Sequence, residues 1–253
     1  MRILVTNDDG IHAPGLAVAE GIAAELGDEV WTVAPHDEQS GAGHSLTLTR
    51  PLRLRRHEER RFAVSGTPTD AVMMAMLEVM DGKPDLILSG VNRGANLAED
   101  VTYSGTVSAA MEGALAGVRA IALSQAYDGE AVGEDVRFAA AAAWGARAIR
   151  PLLDVAFAPG MLVNVNFPAL PADAVKGVRV TVQGLRDYGR AKVVRNVDPR
   201  GFPYYWIGLG GADGAPAPES DIAALRDGYV SVTPLHLDLT SHRGLDLLAG
   251  TYG

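Results

Sequence analysis

The sequence predicts an α/β chain built on a mostly parallel sheet, and three observations carry that expectation. The first is a short apolar run, Ile3-Leu4-Val5, that stops at Asn7-Asp8-Asp9-Gly10. A buried central strand reads this way where it gives out into a turn. The second is spacing. Helical periodicity over residues 16–26 is followed by another apolar run at 30–34, and strand, helix and strand at this separation make a βαβ unit. The third is that the alternation persists to Phe167-Pro168, after which short β-like runs replace it.

Composition sets the bounds. The chain has 253 residues, 47% hydrophobic and 21% charged, enough for one large core or two modest ones. It has no cysteine, so disulfides and thiolate metal sites are excluded. No apolar stretch reaches membrane-spanning length. The N-terminus enters a strand directly rather than a signal peptide, so a cytoplasmic location is the default expectation. With 31 acidic and 22 basic residues the net charge is -9, which argues against a general nucleic-acid surface and leaves anionic small molecules open.

Each element has its own justification. In residues 16–26, Leu16, Ala19, Ile22, Ala23 and Leu26 share one helical face, and Gly27 suits the helix end. The strand at 30–34 ends at Pro35 and gives way to a polar loop, His36-Asp37-Glu38-Gln39-Ser40-Gly41, either functional or simply mobile. Residues 46–55 alternate leucine with polar side chains around Pro51, predicting a half-exposed strand. Arg53, Arg55, Arg56, Arg60 and Arg61 flank a turn at His57-Glu58-Glu59, as in a solvated hairpin. A strand at 62–65 precedes Thr67-Pro68-Thr69-Asp70, which supplies an N-cap, a proline at N1 and an acid at N3 for a helix over 68–80. A strand at 85–89 runs into a long, glycine-broken loop, and a helix follows over 107–117. Further on come a strand at 119–124, an alanine-rich helix over 134–153 ending or bending before Pro151, and a strand at 162–167. Beyond Pro168 lie β-like runs at 178–182, 192–197, 204–209 and 229–232, with a short helix over 221–226. Residues 208–214 superficially suit a dinucleotide fingerprint but lead into Ala215-Pro216-Ala217-Pro218, so they read as a loop. The aromatic run Phe202-Pro203-Tyr204-Tyr205-Trp206 suits either an exposed subunit contact or core.

Ligands of open α/β sheets bind at the carboxyl ends of the strands. Three loops fall there. One carries Asp8 and Asp9, one Ser40, and one Asn92 with Asn96 behind it. Adjacent carboxylates at such an edge need a cation or a set of donors; the alternative is an Asx-turn and helix cap. Carboxylate, hydroxyl and amide oxygens suit Mg²⁺, Mn²⁺ or Ca²⁺. Ser104-Gly105-Thr106 opens a helix, where free N–H groups and the helix dipole favour an anion. A divalent cation beside an anion site is a phosphoryl-transfer arrangement. P-loop, zinc-ligand and Gly-x-Ser-x-Gly patterns are absent, and the first turn is not glycine-rich as in a nucleotide-cofactor oxidoreductase.

These residues carry a resemblance. Residues 3–11, Ala13-Pro14-Gly15, Gln39-Ser40-Gly41, Ser65-Gly66-Thr67-Pro68-Thr69-Asp70, residues 89–96, residues 103–113, residues 163–168 and residues 228–235 closely resemble the SurE (survival protein E) nucleotidases, in order and over nearly the whole chain. The resemblance implies a Rossmann-like core with helices on both faces over about residues 1–180 of a single domain, and a β-rich extension over about 181–253 used for oligomerisation. It implies a metal-dependent phosphatase for nucleoside 5′- and 3′-monophosphates and, in some members, short polyphosphate. One divalent ion per subunit, Mg²⁺ or Mn²⁺ with Ca²⁺ as a substitute, would be held by Asp8, Asp9, Ser40 and Asn92. Phosphate would meet Asn96, Ser104, Gly105 and Thr106. Small nucleotides rather than a nucleic-acid polymer or a membrane would be the partners, and the assembly would be a homodimer or homotetramer. Two mechanisms stay open: attack by water with Asp8 or Asp9 assisting proton removal, or covalent transfer to one of these aspartates. Leu97-Ala98-Glu99-Asp100 departs from the family, which more often has Gly and Asp there. A non-catalytic nucleotide sensor or oligomeric scaffold remains the rival reading.

Overall fold

Alternate residues of a strand point to opposite faces of its sheet, and the central strands here are apolar on both. In β1 (Arg2–Thr6), Ile3 and Val5 enter one buried cluster and Leu4 enters the other. Such strands need helices on both faces, and the computed structural model, which describes residues 1–127, 138–186, 192–208 and 215–252, supplies them. The chain continues through α1 (Pro14–Leu26), β2 (Glu29–Pro35), β3 (Leu54–Glu58), β4 (Arg61–Val64) and α2 (Pro68–Met74), which ends in a π-helical turn at Ala75–Val79. Next come β5 (Leu86–Arg93), α3 (Gly105–Leu115), β6 (Arg119–Gln125), α4 (Ala139–Ile149) and β7 (Met161–Phe167). The remainder is β8 (Val178–Val180), β9 (Lys192–Val197), β10 (Pro203–Gly208), α5 (Asp221–Arg226), β11 (Val230–His236) and α6 (His242–Tyr252).

Nine strands form one sheet in the order β3-β4-β2-β1-β5-β6-β7-β11-β8. From β4 to β7 every neighbouring pair is parallel; β3 on β4 and β11 on β7 are antiparallel. Residues of α1 and α4 join the cluster on one face, and residues of α2 and α3 join the cluster on the other. Strand order reverses direction at β1, which lies between β2 and β5. That reversal is the topological switch point, where an open α/β sheet binds its ligand.

Several expectations need correction. Residues 46–53 are not a strand: the run lies across the start of α2, with the Thr47 N–H and hydroxyl donating to the Asp70 carboxylate at 3.0 and 2.6 Å. Only its end, from Leu54, pairs with β4. The alanine-rich helix begins at Ala139 within the described residues, while 128–137 lie outside them, and it passes at Arg150 into a 3₁₀ turn carrying Pro151. Gly27 has φ -149°, so it is not the left-handed helix end expected. It is small because a side chain there would come within 2.7 Å of the Met1 carbonyl oxygen. Of the glycine-rich loop at 208–214, only Gly208 is among the described residues.

The C-terminal part does not lie wholly outside the core. β8 and β11 extend the main sheet, so the sheet does not end near residue 180. β9 and β10 form a separate two-stranded sheet in which every residue is exposed, Trp206 included, and Phe202 just before β10 is exposed as well. The aromatic run is therefore not core in this chain.

Candidate active site

Asn7, fully buried, closes the turn after β1. Its side-chain N–H donates to the Gly10 carbonyl at 2.9 Å, and Gly10 takes φ +99°, a conformation that favours glycine. The aspartates do not cap α1. α1 starts after Ala13, has no side-chain cap and uses Pro14 at its first position. A Cβ on Gly15 would come within 1.9 Å of the Val91 carbonyl oxygen, so the start of α1 sits directly on β5 and fixes the turn against the sheet edge.

Three loops meet at this turn. The Gln39 N–H donates to the Asp8 carbonyl at 2.7 Å, which brings the loop after β2 alongside. The Arg93 N–H donates to the Asp9 carboxylate at 3.0 Å, which ties in the end of β5. The Thr106 hydroxyl donates to Asp8 Oδ1 at 2.5 Å, which docks the start of α3. A Cβ on Gly105 would lie 2.8 Å from the Asp8 Cβ and 2.9 Å from its Oδ2, so only glycine lets the helix come this close.

Asp8 is 4% exposed. Burial pushes its carboxyl up to about 6; the hydrogen bond from the Thr106 hydroxyl opposes this and the neighbouring Asp9 charge adds to it. Asp9 is also raised, mainly by burial, against the lowering effect of the Arg93 N–H. Ser40 is exposed, and its hydroxyl donates to the Glu38 carboxylate at 2.8 Å, which leaves the oxygen lone pairs directed elsewhere. The Asn92 amide nitrogen donates to the Gly94 carbonyl at 2.8 Å, which turns its amide oxygen the other way. Asn7 Oδ1 is buried without a hydrogen-bond partner.

Two desolvated carboxylates with neutral hydroxyl and amide oxygens beside them suit a hard divalent cation. Among the described residues no group of three His, Cys, Asp or Glu side chains is arranged to hold a metal. A cation at this edge would therefore rest on the two aspartates and on neutral oxygens.

The helix start has the features expected of an anion site, arranged more tightly. α3 begins at Gly105, two residues before the expected start, with buried Ser104 as its N-cap accepting from the Val107 N–H at 3.1 Å. In this structure the Asp8 carboxylate is the anion that the Thr106 hydroxyl meets. Asn96 is buried in a polar clamp. Its N–H donates to Asn166 Oδ1 at 2.8 Å and its amide to the Ser124 hydroxyl at 2.9 Å, while its carbonyl accepts from Asn164 at 2.8 Å and Asn166 at 3.1 Å. The clamp fastens the β5–α3 loop to the ends of β6 and β7.

Sequence reasoning passed over several participants. Asn164 and Asn166 carried a readable signal: two amides at alternate positions of an otherwise apolar strand, where a buried polar group needs a partner. Arg93 and Gln39 act through backbone N–H groups, which no side-chain motif announces. His12, His36, Glu38 and Phe138 line a cavity of about 250 Å³ beside Asp9. Asp221 reaches back to the same loop, accepting from the Ala98 N–H at 2.9 Å.

The comparisons with known proteins agree with one another. The family model described as survival protein SurE matches residues 3–190. A protein of Rhizorhabdus wittichii named 5′-nucleotidase SurE is 63% identical over 253 residues, all of both chains. One of the same name from Erythrobacter litoralis is 58% identical over 98% of both. The crystal structure of the SurE protein from Aquifex aeolicus superposes with a TM-score of 0.84 at 38% identity, covering all of both chains.

Proposed function

The chain belongs to the survival protein SurE family, and from that premise we propose that it is a nucleotidase hydrolysing nucleoside 5′- and 3′-monophosphates to nucleoside and phosphate at the edge formed by β1, β5 and α3. The observation that carries the siting is the convergence on Asp8 and Asp9 of three loops, through Gln39, Arg93 and Thr106.

In this reading Asp8, Asp9, Ser40 and Asn92 hold one divalent ion, Mg²⁺ or Mn²⁺, with Ca²⁺ as a substitute. When bound, the ion supplies a nucleophilic water at neutral pH and offsets the charge of the phosphate. The chain's own groups do the rest. Gly105 and Thr106 would present the α3 start to the phosphate oxygens, where the helix N–H groups and dipole favour negative charge. Ser104 fixes that helix start as its cap. The clamp around Asn96 holds the phosphate loop in place. Asp8 or Asp9 would assist removal of the proton from the attacking water.

The cytoplasm is the proposed compartment; no helix among the described residues is long and apolar enough to cross a membrane. A homodimer or homotetramer is the proposed assembly, built through the β9–β10 hairpin and α6 as the extension of a single domain. The deciding test is phosphate release from AMP with Mg²⁺ or Mn²⁺, with and without EDTA. Metal-dependent release supports the enzyme, whereas AMP binding without turnover points to a sensor.

A further inference from the structure

The loop between β5 and α3 is held at two places. The first is Asn96, clamped to β6 and β7. The second is the next four residues, which are held from the C-terminal part of the chain. The Arg186 guanidinium donates to the Leu97 carbonyl at 3.2 Å and pairs with Asp100, while the Arg186 N–H donates to the Glu99 carboxylate at 3.0 Å. The Gln183 amide donates to the Ala98 carbonyl at 2.9 Å, and the Ala98 N–H donates to the Asp221 carboxylate at 2.9 Å. Both backbone groups of Ala98 are thus taken by downstream side chains, at a residue whose φ is +54°. A left-handed alanine is disfavoured by its Cβ and persists where its surroundings over-determine it.

Asp221 is fully buried, and capping of α5 does not account for it. Ser220 is the N-cap of that helix and accepts from the Ala223 N–H at 3.2 Å. One Asp221 oxygen accepts from the Ile222 and Gly184 N–H groups at 2.8 and 2.9 Å, and the other reaches Ala98. A Cβ on Gly184 would lie 2.8 Å from the first oxygen, so glycine there permits the close approach. A single carboxylate therefore joins α5, residue 184 and the β5–α3 loop. The hold is passed on through one turn. Ala98 opens a 3₁₀ turn over Ala98–Thr102, the Asp100 carbonyl accepts from the Ser104 N–H at 3.1 Å, and Ser104 caps α3.

Resting on the nucleotidase reading, we propose that Asp221 is a positioning residue for phosphate binding. Its carboxylate, together with the Gln183 amide, sets the turn at Ala98 and through it the start of α3.

The experiment measures kcat and KM for AMP in wild type, Asp221→Asn and Gln183→Ala. The same proteins, loaded with Mg²⁺, are titrated with inorganic phosphate by calorimetry. Asp221→Asn keeps the shape and sets an amino group against one of the N–H groups. Gln183 is exposed, so its removal leaves the core intact. KM should rise, and phosphate affinity fall, about tenfold for Asp221→Asn and about threefold for Gln183→Ala, as for loss of a charged and a neutral hydrogen bond. The value of kcat should hold, as when binding shared by the ground and transition states is removed. Hydrogen exchange should quicken at residues 98 and 104 while the amides of β5 and β6 keep their protection. Unchanged KM and phosphate affinity overturn the proposal, whether or not kcat falls, because a merely structural role lowers only the amount of active protein. Faster exchange confined to α5 and residue 184 overturns it too. If Asp221→Asn does not fold, Gln183→Ala decides alone. Wild type that binds phosphate but releases none from AMP sinks the nucleotidase reading, while the titration and exchange still decide the positioning. Wild type that binds no phosphate overturns the positioning itself.

Discussion

The edge formed by β1, β5 and α3 buries polar groups, whereas the β9–β10 hairpin exposes apolar ones. Asp8, Asn7, Asn96 and Thr106 are each under 9% exposed. Trp206 is 64% exposed and Ile207 79%. The two solve burial differently: the polar groups at the edge are met by hydrogen bonds, as around Asn96 and between Thr106 and Asp8, whereas a two-stranded hairpin with no packed face is marginally stable in water. The difference teaches what each region is suited to meet. The edge, with its two aspartates and the α3 start, suits small charged groups such as the proposed cation and phosphate. The hairpin suits an apolar surface, which in the proposed oligomer a second copy of the chain would provide.

The largest expected effect tests the edge. Asp8→Asn keeps the shape and removes the charge, so AMP turnover should drop about 10²–10³-fold, as for loss of a main electrostatic group, with circular dichroism unchanged. Undiminished turnover would place the chemistry elsewhere. Next is Gly105→Ala, whose new methyl group meets Asp8 and the Pro68 ring. Overpacking of this kind costs about 1–3 kcal/mol, so both the melting temperature and the activity should fall; a melting point equal to that of wild type would show that α3 has room to move.

Asp70 tests a buried carboxylate that, unlike Asp8, is fully served. It completes the capping box of α2 with Thr67 and accepts from Thr47. Burial raises its carboxyl, but the hydrogen bonds from Thr47 and Thr67 outweigh this and hold it below the usual carboxylate range. A depressed folded pKa contributes stability above the unfolded value, near 4, and loses it as the pH falls through the folded one. Asp70→Asn should therefore destabilise the protein by about 1–2 kcal/mol at pH 7 and by progressively less toward pH 3, read from urea midpoints at both pH values. An equal loss at both would exclude the charge as the cause.

The hairpin is sharpened by Trp206→Ser. Removing one exposed side chain should change the stability of a monomer by under about 0.5 kcal/mol while shifting the elution and light-scattering mass toward smaller species. An unaltered mass would assign assembly to other surfaces. The smallest effect belongs to Ala98, which takes φ +54°. A left-handed alanine is strained by about 1–2 kcal/mol, and glycine offsets part of that relief by its chain entropy. Ala98→Gly should raise the urea midpoint slightly, and a clear fall would show that the methyl group packs usefully.

Legibility followed the scale of the interaction. The parallel core was readable because apolar runs such as Ile3-Leu4-Val5 and Leu86-Ile87-Leu88 can only be buried strands in this alternation. The convergence of Asp8, Asp9, Thr106 and the segments carrying Ser40 and Asn92 was readable because strand ends return to one edge. Residues 46–53 were misread because alternating leucines mimic a strand, while a single buried carboxylate, Asp70, decides their course. The roles of Gln39 and Arg93 were hidden because backbone N–H groups are common to every residue. The cavity at His12 and His36 was hidden for another reason: its walls come from separate loops, with no spacing to connect them.

Ala98 has a further consequence. Its N–H is held by Asp221 and its carbonyl by Gln183 at 2.9 Å, while Arg186 pairs with Asp100 beside it. The loop that carries Asn96 and Ser104 is thus gripped by residues more than eighty positions downstream. These holds predict that the two regions evolve together. A change at Asp221 would be filtered through nucleotide turnover though it touches no substrate, and a drifting C-terminal segment must keep these holds while its outer surface varies. Across an alignment, positions 183 and 221, whose side chains hold the backbone of residue 98, should be retained together, and the hairpin residues should vary apart from them.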